Sequence, residues 1–162
     1  MDATTTHSIH SLIRRLKTAH PQLTFEVADE FLWSPDTNTI FYNPSETEAA
    51  NLLLHELSHA LLEHKKYSRD VELVAMETSA WDEAKRYADS LPDDVRVEIN
   101  DDVAQNHLDT YREWLHARST CPKCSATGFQ IGPSTYSCPA CARSWRVNEA
   151  RICALRRYSL QK

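Results

Sequence analysis

Two cysteine pairs of identical spacing constrain the C-terminal part of this 162-residue chain more than any other feature. Cys121-Pro122-Lys123-Cys124 and Cys138-Pro139-Ala140-Cys141 are Cys-x-x-Cys knuckles, with thirteen residues between Cys124 and Cys138. Two such pairs can place four thiolates around one tetrahedral ion, the structural zinc arrangement. A redox Cys-x-x-Cys would leave the second copy unexplained. A module of about 30 residues buries too little surface to hold itself together, so its fold is expected to depend on the metal. The segment between the knuckles, with Gly128, Phe129, Ile131, Gly132, Pro133 and Tyr136, reads as a short hairpin. Cys153 reads as a small buried apolar residue.

The net charge of −5 divides unevenly. Residues 1–118 carry 11 Lys and Arg against 22 Asp and Glu; residues 119–162 carry 7 against the single acid Glu149. The break predicts two modules, 1–118 and 119–162. Only two glycines are present, so a glycine-rich phosphate loop is disfavoured. No run approaches the ~20 apolar residues of a membrane span, and the first residues lack the pattern of a signal peptide. The expectation is a cytoplasmic chain with reduced cysteines and no membrane partner.

Periodicity in the first module predicts an α+β fold. Ile9, Leu12, Ile13 and Leu16 have helical spacing up to Pro21. Leu23, Phe25 and Val27 alternate as in a strand, and residues 31–33 and 39–42 read as two more, making a small antiparallel sheet. Ser45 with Glu48 resembles a capping box before a strongly apolar helix over about residues 46–65. Asp70 reads as the N-cap of a second helix over about 71–90. A third covers about 101–117, with Val103, Leu108, Tyr111, Trp114 and Leu115 inward.

The apolar helix contains His55-Glu56-Leu57-Ser58-His59. Positions i and i+4 share a helix face, so both imidazoles can reach one ion, and neutral imidazole suits Zn²⁺. Glu56, one residue offset, is free to act as a base toward water activated by that ion. The flanking Leu52, Leu53, Leu54, Ala60, Leu61 and Leu62 make the helix buried on most sides, where polar side chains need partners. Catalytic zinc takes three protein ligands and keeps an open position. Candidates for the third are His64, Glu63, Glu72, Glu77, Asp82 and Glu83. If the second helix returns antiparallel, the level of His59 is met about six residues in, at Glu77. Glu72 is the next candidate, facing the end of the first helix. His64 would point about 140° away from His59 on a continuous helix.

These segments resemble the ImmA/IrrE-type zinc metallopeptidases, a minimal gluzincin group. The matching residues are Ile40-Phe41-Tyr42-Asn43, then His55-Glu56-Leu57-Ser58-His59-Ala60-Leu61-Leu62. Downstream, Glu77, Ala80 and Ala84 match the family's Glu-x-Glu-Ala-Asn-x-Phe-Ala motif, while Ser79, Trp81 and Glu83 stand in place of its second Glu, its Asn and its Phe. The offset segment Glu72-Leu73-Val74-Ala75 matches nearly as well. The resemblance covers about residues 10–90. It implies a zincin-like domain in which His55, His59 and a downstream Glu hold zinc. It also implies cleavage of a helix-turn-helix repressor.

The leading expectation is therefore a zinc-dependent endopeptidase with a C-terminal zinc ribbon and two Zn²⁺ sites. Glu56 is its catalytic base; His55, His59 and Glu77 hold the catalytic ion; Cys121, Cys124, Cys138 and Cys141 hold the structural one. The strand at 39–42 is a candidate edge for aligning an extended substrate. Tyr42, Tyr67, His107 and Tyr111 are candidates for stabilising the oxyanion. Around the ribbon lie Lys123, Arg143, Arg146, Arg151, Arg156 and Arg157, interleaved with Tyr136, Trp145 and Tyr158. That pattern suits nucleic acid, through phosphate contacts and base stacking, or an acidic protein surface. The competing expectation is a non-catalytic regulator or nucleic-acid adaptor acting through the ribbon.

Overall fold

The computed structural model describes residues 3–148 and 157–159, with side chains described over residues 9–148. Cys153, Arg151 and Arg156, and the side chains of Arg157 and Tyr158, lie outside what it describes. Over the described residues the fold is α+β, with four α-helices and two small sheets.

The chain forms two compact units: Met1–Lys65 with Met76–Ala104, and Lys66–Ala75 with Gln105–Lys162. This division differs from the boundary expected after residue 118, because residues 66–75 and 105–118 belong with the cysteine module. The physical reason is a buried ion pair. Arg118 donates from Nε to Asp70 at 2.7 Å and from Nη1 to the Asn148 carbonyl, while Tyr136 Oη donates to the same Asp70 carboxylate at 2.6 Å. Charge composition cannot register such a contact.

In the first unit, α1 (Ala3–Ala19) buries Ile9, Leu12, Ile13 and Leu16, the face that the i, i+3, i+4, i+7 spacing defines. Three strands follow: β1 (Thr24–Val27), β2 (Leu32–Ser34) and β3 (Thr39–Tyr42). Their order is β1-β3-β2, with β1 parallel and β2 antiparallel to β3. The sheet is thus mixed, not antiparallel, and β3 is central, not an edge. The apolar content decides this placement: Thr39, Ile40 and Tyr42 are buried, whereas Val27 on β1 and Leu32 on β2 are exposed.

The helix α2 (Ala49–Leu61) is shorter at both ends than the expected span of 46–65. No capping box forms. Glu48 precedes the helix in the left-handed region (φ 63°), with no side-chain cap bond, and Asn43 accepts the Ser45 N–H in an Asx turn instead. Leu53, Leu54 and Leu57 are fully buried, each contributing about 1.5–3 kcal/mol of transfer free energy. Asn51, also buried, accepts the Asn100 N–H and donates to the Glu98 carbonyl, pinning that loop. The long helix α3 (Asp70–Ser90) buries Ala80, Trp81, Ala84 and Ala88 in this unit, and Glu77 lies on the same face.

The helix α4 (Asp101–Ser119) belongs to the second unit from Gln105 onward; it buries Leu108 and Trp114, while Val103, Tyr111 and Leu115 are only half-buried. The sheet β4 (Phe129–Gly132), β5 (Thr135–Ser137), β6 (Ser144–Val147) and β7 (Arg157–Ser159) is antiparallel throughout, in sequence order. Its core is Cys121, Tyr136, Cys138, Trp145 and Val147. Gly128 is required beside it, since a Cβ there would lie 2.3 Å from the Trp145 ring and 2.7 Å from the Ser137 carbonyl. Asp70 is not an N-cap. Its side chain serves Arg118 and Tyr136, while Glu72 accepts the Ser68 and Arg69 N–H groups at the start of α3. Among the described residues, no helix is long and apolar enough to cross a membrane.

Candidate metal centres

One turn of α2 separates His55 from His59, and the shared face carries both rings toward Glu77 on α3. Glu77 Oε2 lies 3.0 Å from His55 Nε2 and 3.5 Å from His59 Nε2, and the two Nε2 atoms are 3.1 Å apart. Donors bound tetrahedrally at about 2.0–2.1 Å sit about 3.3–3.4 Å from one another. The triangle therefore has the size of one face of such a shell, and its donor set suits a divalent ion. Trp81 stacks on His55 at 4.4 Å and 24°, fixing the imidazole plane.

Electrostatics agree with a charged cluster. Burial alone would push Glu77 up, but hydrogen bonds and charge from His55 and His59 hold it well below the usual carboxylate range. Burial opposes the charging of His59, and Glu77 and Glu56 outweigh it, so its pKa is raised. Glu56 sits one residue around from the ligand face. Burial pushes its carboxyl up to about 7, against the opposing effect of His59 and with reinforcement from Glu77. Its Oε2 accepts the Trp33 backbone N–H at 2.7 Å. This holds one carboxylate oxygen against β2.

The remaining acids are placed elsewhere. Glu72 is engaged with backbone N–H groups, Glu63 and Asp82 are exposed, and Glu83 pairs with Arg86. Tyr42 is buried within β3; Tyr67, His107 and Tyr111 belong to the second unit, where His107 and Tyr111 pack edge-on at 5.3 Å.

His64 does not point away. The helix ends in a Schellman turn: the His64 N–H bonds the His59 carbonyl at 2.9 Å and the Glu63 N–H bonds the Ala60 carbonyl at 3.1 Å. Glu63 occupies the left-handed position at φ 55°. The turn swings His64 back until its Nδ1 lies 2.8 Å from His59 Nδ1. A glycine at residue 63 would have signalled this reversal; a glutamate gives no such sign. Nor does any local pattern mark the Trp33 N–H as the partner of Glu56.

The cysteine centre is built twice over. In each knuckle the residue after the second Cys is left-handed, Ser125 at φ 62° and Ala142 at φ 59°. In each, that residue's N–H bonds the first Cys carbonyl, and the first Cys N–H bonds the carbonyl five residues on, at 2.8–3.0 Å throughout. The four Sγ atoms lie within 4.8 Å of one another, with Cys121–Cys141 at 3.7 Å and Cys124–Cys138 at 3.5 Å. A disulfide is about 2.05 Å long, whereas thiolates bound at about 2.3 Å around one ion are about 3.8 Å apart. The cluster has the second geometry. Burial opposes ionisation of Cys121, but the Cys124 and Lys123 N–H groups win and hold it down to about 6.

Lys123 and Arg146 are exposed on the ribbon. Tyr136 and Trp145 are buried and stacked on each other at 5.8 Å, so neither offers a face to a base. No family model, curated protein or solved structure matches the chain.

Proposed function

We propose that the chain is a zinc-dependent endopeptidase of the ImmA/IrrE type, a minimal gluzincin carrying a zinc ribbon. Its substrate on this reading is a regulatory protein such as a helix-turn-helix repressor. The supporting observation is the convergence of His55, His59 and Glu77 on one point, with Glu56 alongside. His55, His59 and Glu77 hold the catalytic Zn²⁺; Cys121, Cys124, Cys138 and Cys141 hold a structural one. The catalytic ion supplies Lewis acidity to the scissile carbonyl and acidifies water.

Glu56 performs the proton transfers. Tethered at one oxygen by the Trp33 N–H, it takes a proton from the attacking water with the other and passes it to the leaving amide nitrogen. The hydroxyl joins the carbonyl carbon, the C–N bond breaks, and Glu56 ends as it began. A proton affinity near neutrality suits a group that must both accept and donate. The edge role expected for residues 39–42 passes to β2, an outer strand of the sheet, along which an extended segment can pair beside the Glu56 tether.

The test compares wild type with Glu56→Gln, using unfolded casein and any helix-turn-helix protein found encoded beside the gene. The variant should retain zinc and lose roughly 10²–10⁴-fold in cleavage rate. Equal cleavage by both proteins sinks the peptidase reading. Tight binding with no cleavage by either favours the adaptor.

A further inference from the structure

The protons around His59 can be placed by following its partners outward. Ser79 Oγ lies 3.0 Å from the Met76 carbonyl, which can only accept, so the hydroxyl donates there and its lone pairs face away. His64 Nε2 lies 3.4 Å from that same oxygen and is the side of the ring that carries hydrogen. A neutral imidazole protonated at Nε2 has its acceptor at Nδ1. His64 Nδ1 faces His59 Nδ1 at 2.8 Å, so His59 is the donor there, which leaves its Nε2 as the atom able to give a lone pair to an ion. That atom is the one 3.1 Å from His55 Nε2 and 3.5 Å from Glu77 Oε2.

We propose that His64 is a positioning residue for the metal centre. By accepting the Nδ1–H of His59 it fixes the tautomer and ring plane in which His59 Nε2 can bind an ion. The inference rests on the reading of His55, His59 and Glu77 as metal ligands. Two features of the chain make the arrangement. The Schellman turn at Glu63 returns His64 to the helix it has just left, and the Trp33 indole N–H holds the His64 carbonyl at 3.1 Å. Ser79 anchors the far end of the relay.

Full-length wild type, His64→Ala, His64→Asn and Ser79→Ala would be titrated with Co²⁺. Thiolate charge-transfer bands report the ribbon separately from the His/His/Glu site. Partners of ligating histidines are typically worth about 10–100-fold in metal affinity. His64→Ala should weaken the His/His/Glu site by that factor and leave the ribbon unchanged. His64→Asn should recover most of the loss, since its Oδ1 replaces the Nδ1 acceptor; Ser79→Ala should cause a smaller loss. Unchanged affinity in His64→Ala, or no recovery in His64→Asn, overturns the positioning role and leaves the peptidase reading standing. A wild type that binds no ion at His55, His59 and Glu77 overturns both.

Discussion

The two candidate metal centres are built in opposite ways. The thiolate cluster draws all four donors from residues 121–141, and two knuckles of the same backbone geometry supply them. The imidazole–carboxylate cluster draws donors from two helices and its tethers from a strand and a turn. The thiolate cluster is itself part of its core, since Cys121 and Cys138 pack with Tyr136, Trp145 and Val147. The other lies beside an apolar core that includes Leu53, Leu54, Leu57, Ile40 and Trp81. The contrast would separate a metal that makes a fold from a fold that presents a metal site.

The strongest test of that contrast is to remove thiolates. Cys121→Ser with Cys124→Ser should abolish amide protection in β4, β5 and β6 while α2 keeps its own, because binding free energy in such modules is folding free energy. Hydrogen exchange checks it; equal loss of protection in α2 would erase the distinction.

Next in size is a change at the imidazole centre. Glu77→Gln should weaken metal binding there by more than the roughly 10–100-fold typical of an outer partner. Glu72→Gln should leave affinity unchanged, since that carboxylate serves Ser68 and Arg69. Isothermal titration with Zn²⁺ on both variants decides, and matching losses would reopen the ligand assignment.

The smallest effect concerns the buried network of the second unit. Tyr136→Phe removes a hydrogen bond to the Asp70 carboxylate and should cost about 1.5–3 kcal/mol in urea unfolding. Burial first, and then the Asp70 charge, raises the Tyr136 pKa above its ordinary 10.0. A raised folded-state pKa means the protonated form stabilises. That contribution is complete below about pH 10 and is lost as pH rises toward the folded value. Wild type should therefore lose more stability above pH 10 than Tyr136→Phe; parallel alkaline losses would place the network's worth elsewhere.

Legibility in the sequence follows locality. Helical spacing sufficed to place His55 and His59 on one face, and Cys-x-x-Cys spacing sufficed to gather the thiols. The burial of Ile9, Leu12, Ile13 and Leu16 follows from the same periodicity. Charge asymmetry located the cysteine module, but not the share of α3 and α4 that packs with it through Asp70 and Arg118. Aromatics interleaved with cations read as a stacking surface, yet Tyr136 and Trp145 fill the ribbon's interior.

The sequence by itself determined which donors exist and which of them are neighbours one helical turn or one knuckle apart. Covalent spacing and the 3.6-residue repeat act regardless of the rest of the chain. Only the tertiary structure decided that β3 lies between β1 and β2, that Glu56 is tethered by the Trp33 N–H, and that His64 meets His59. Each of these depends on a backbone reversal or a strand placement that packing imposes. A glutamate held at φ 55° is the clearest instance, because its own conformational preference opposes the turn that brings His64 back to His59.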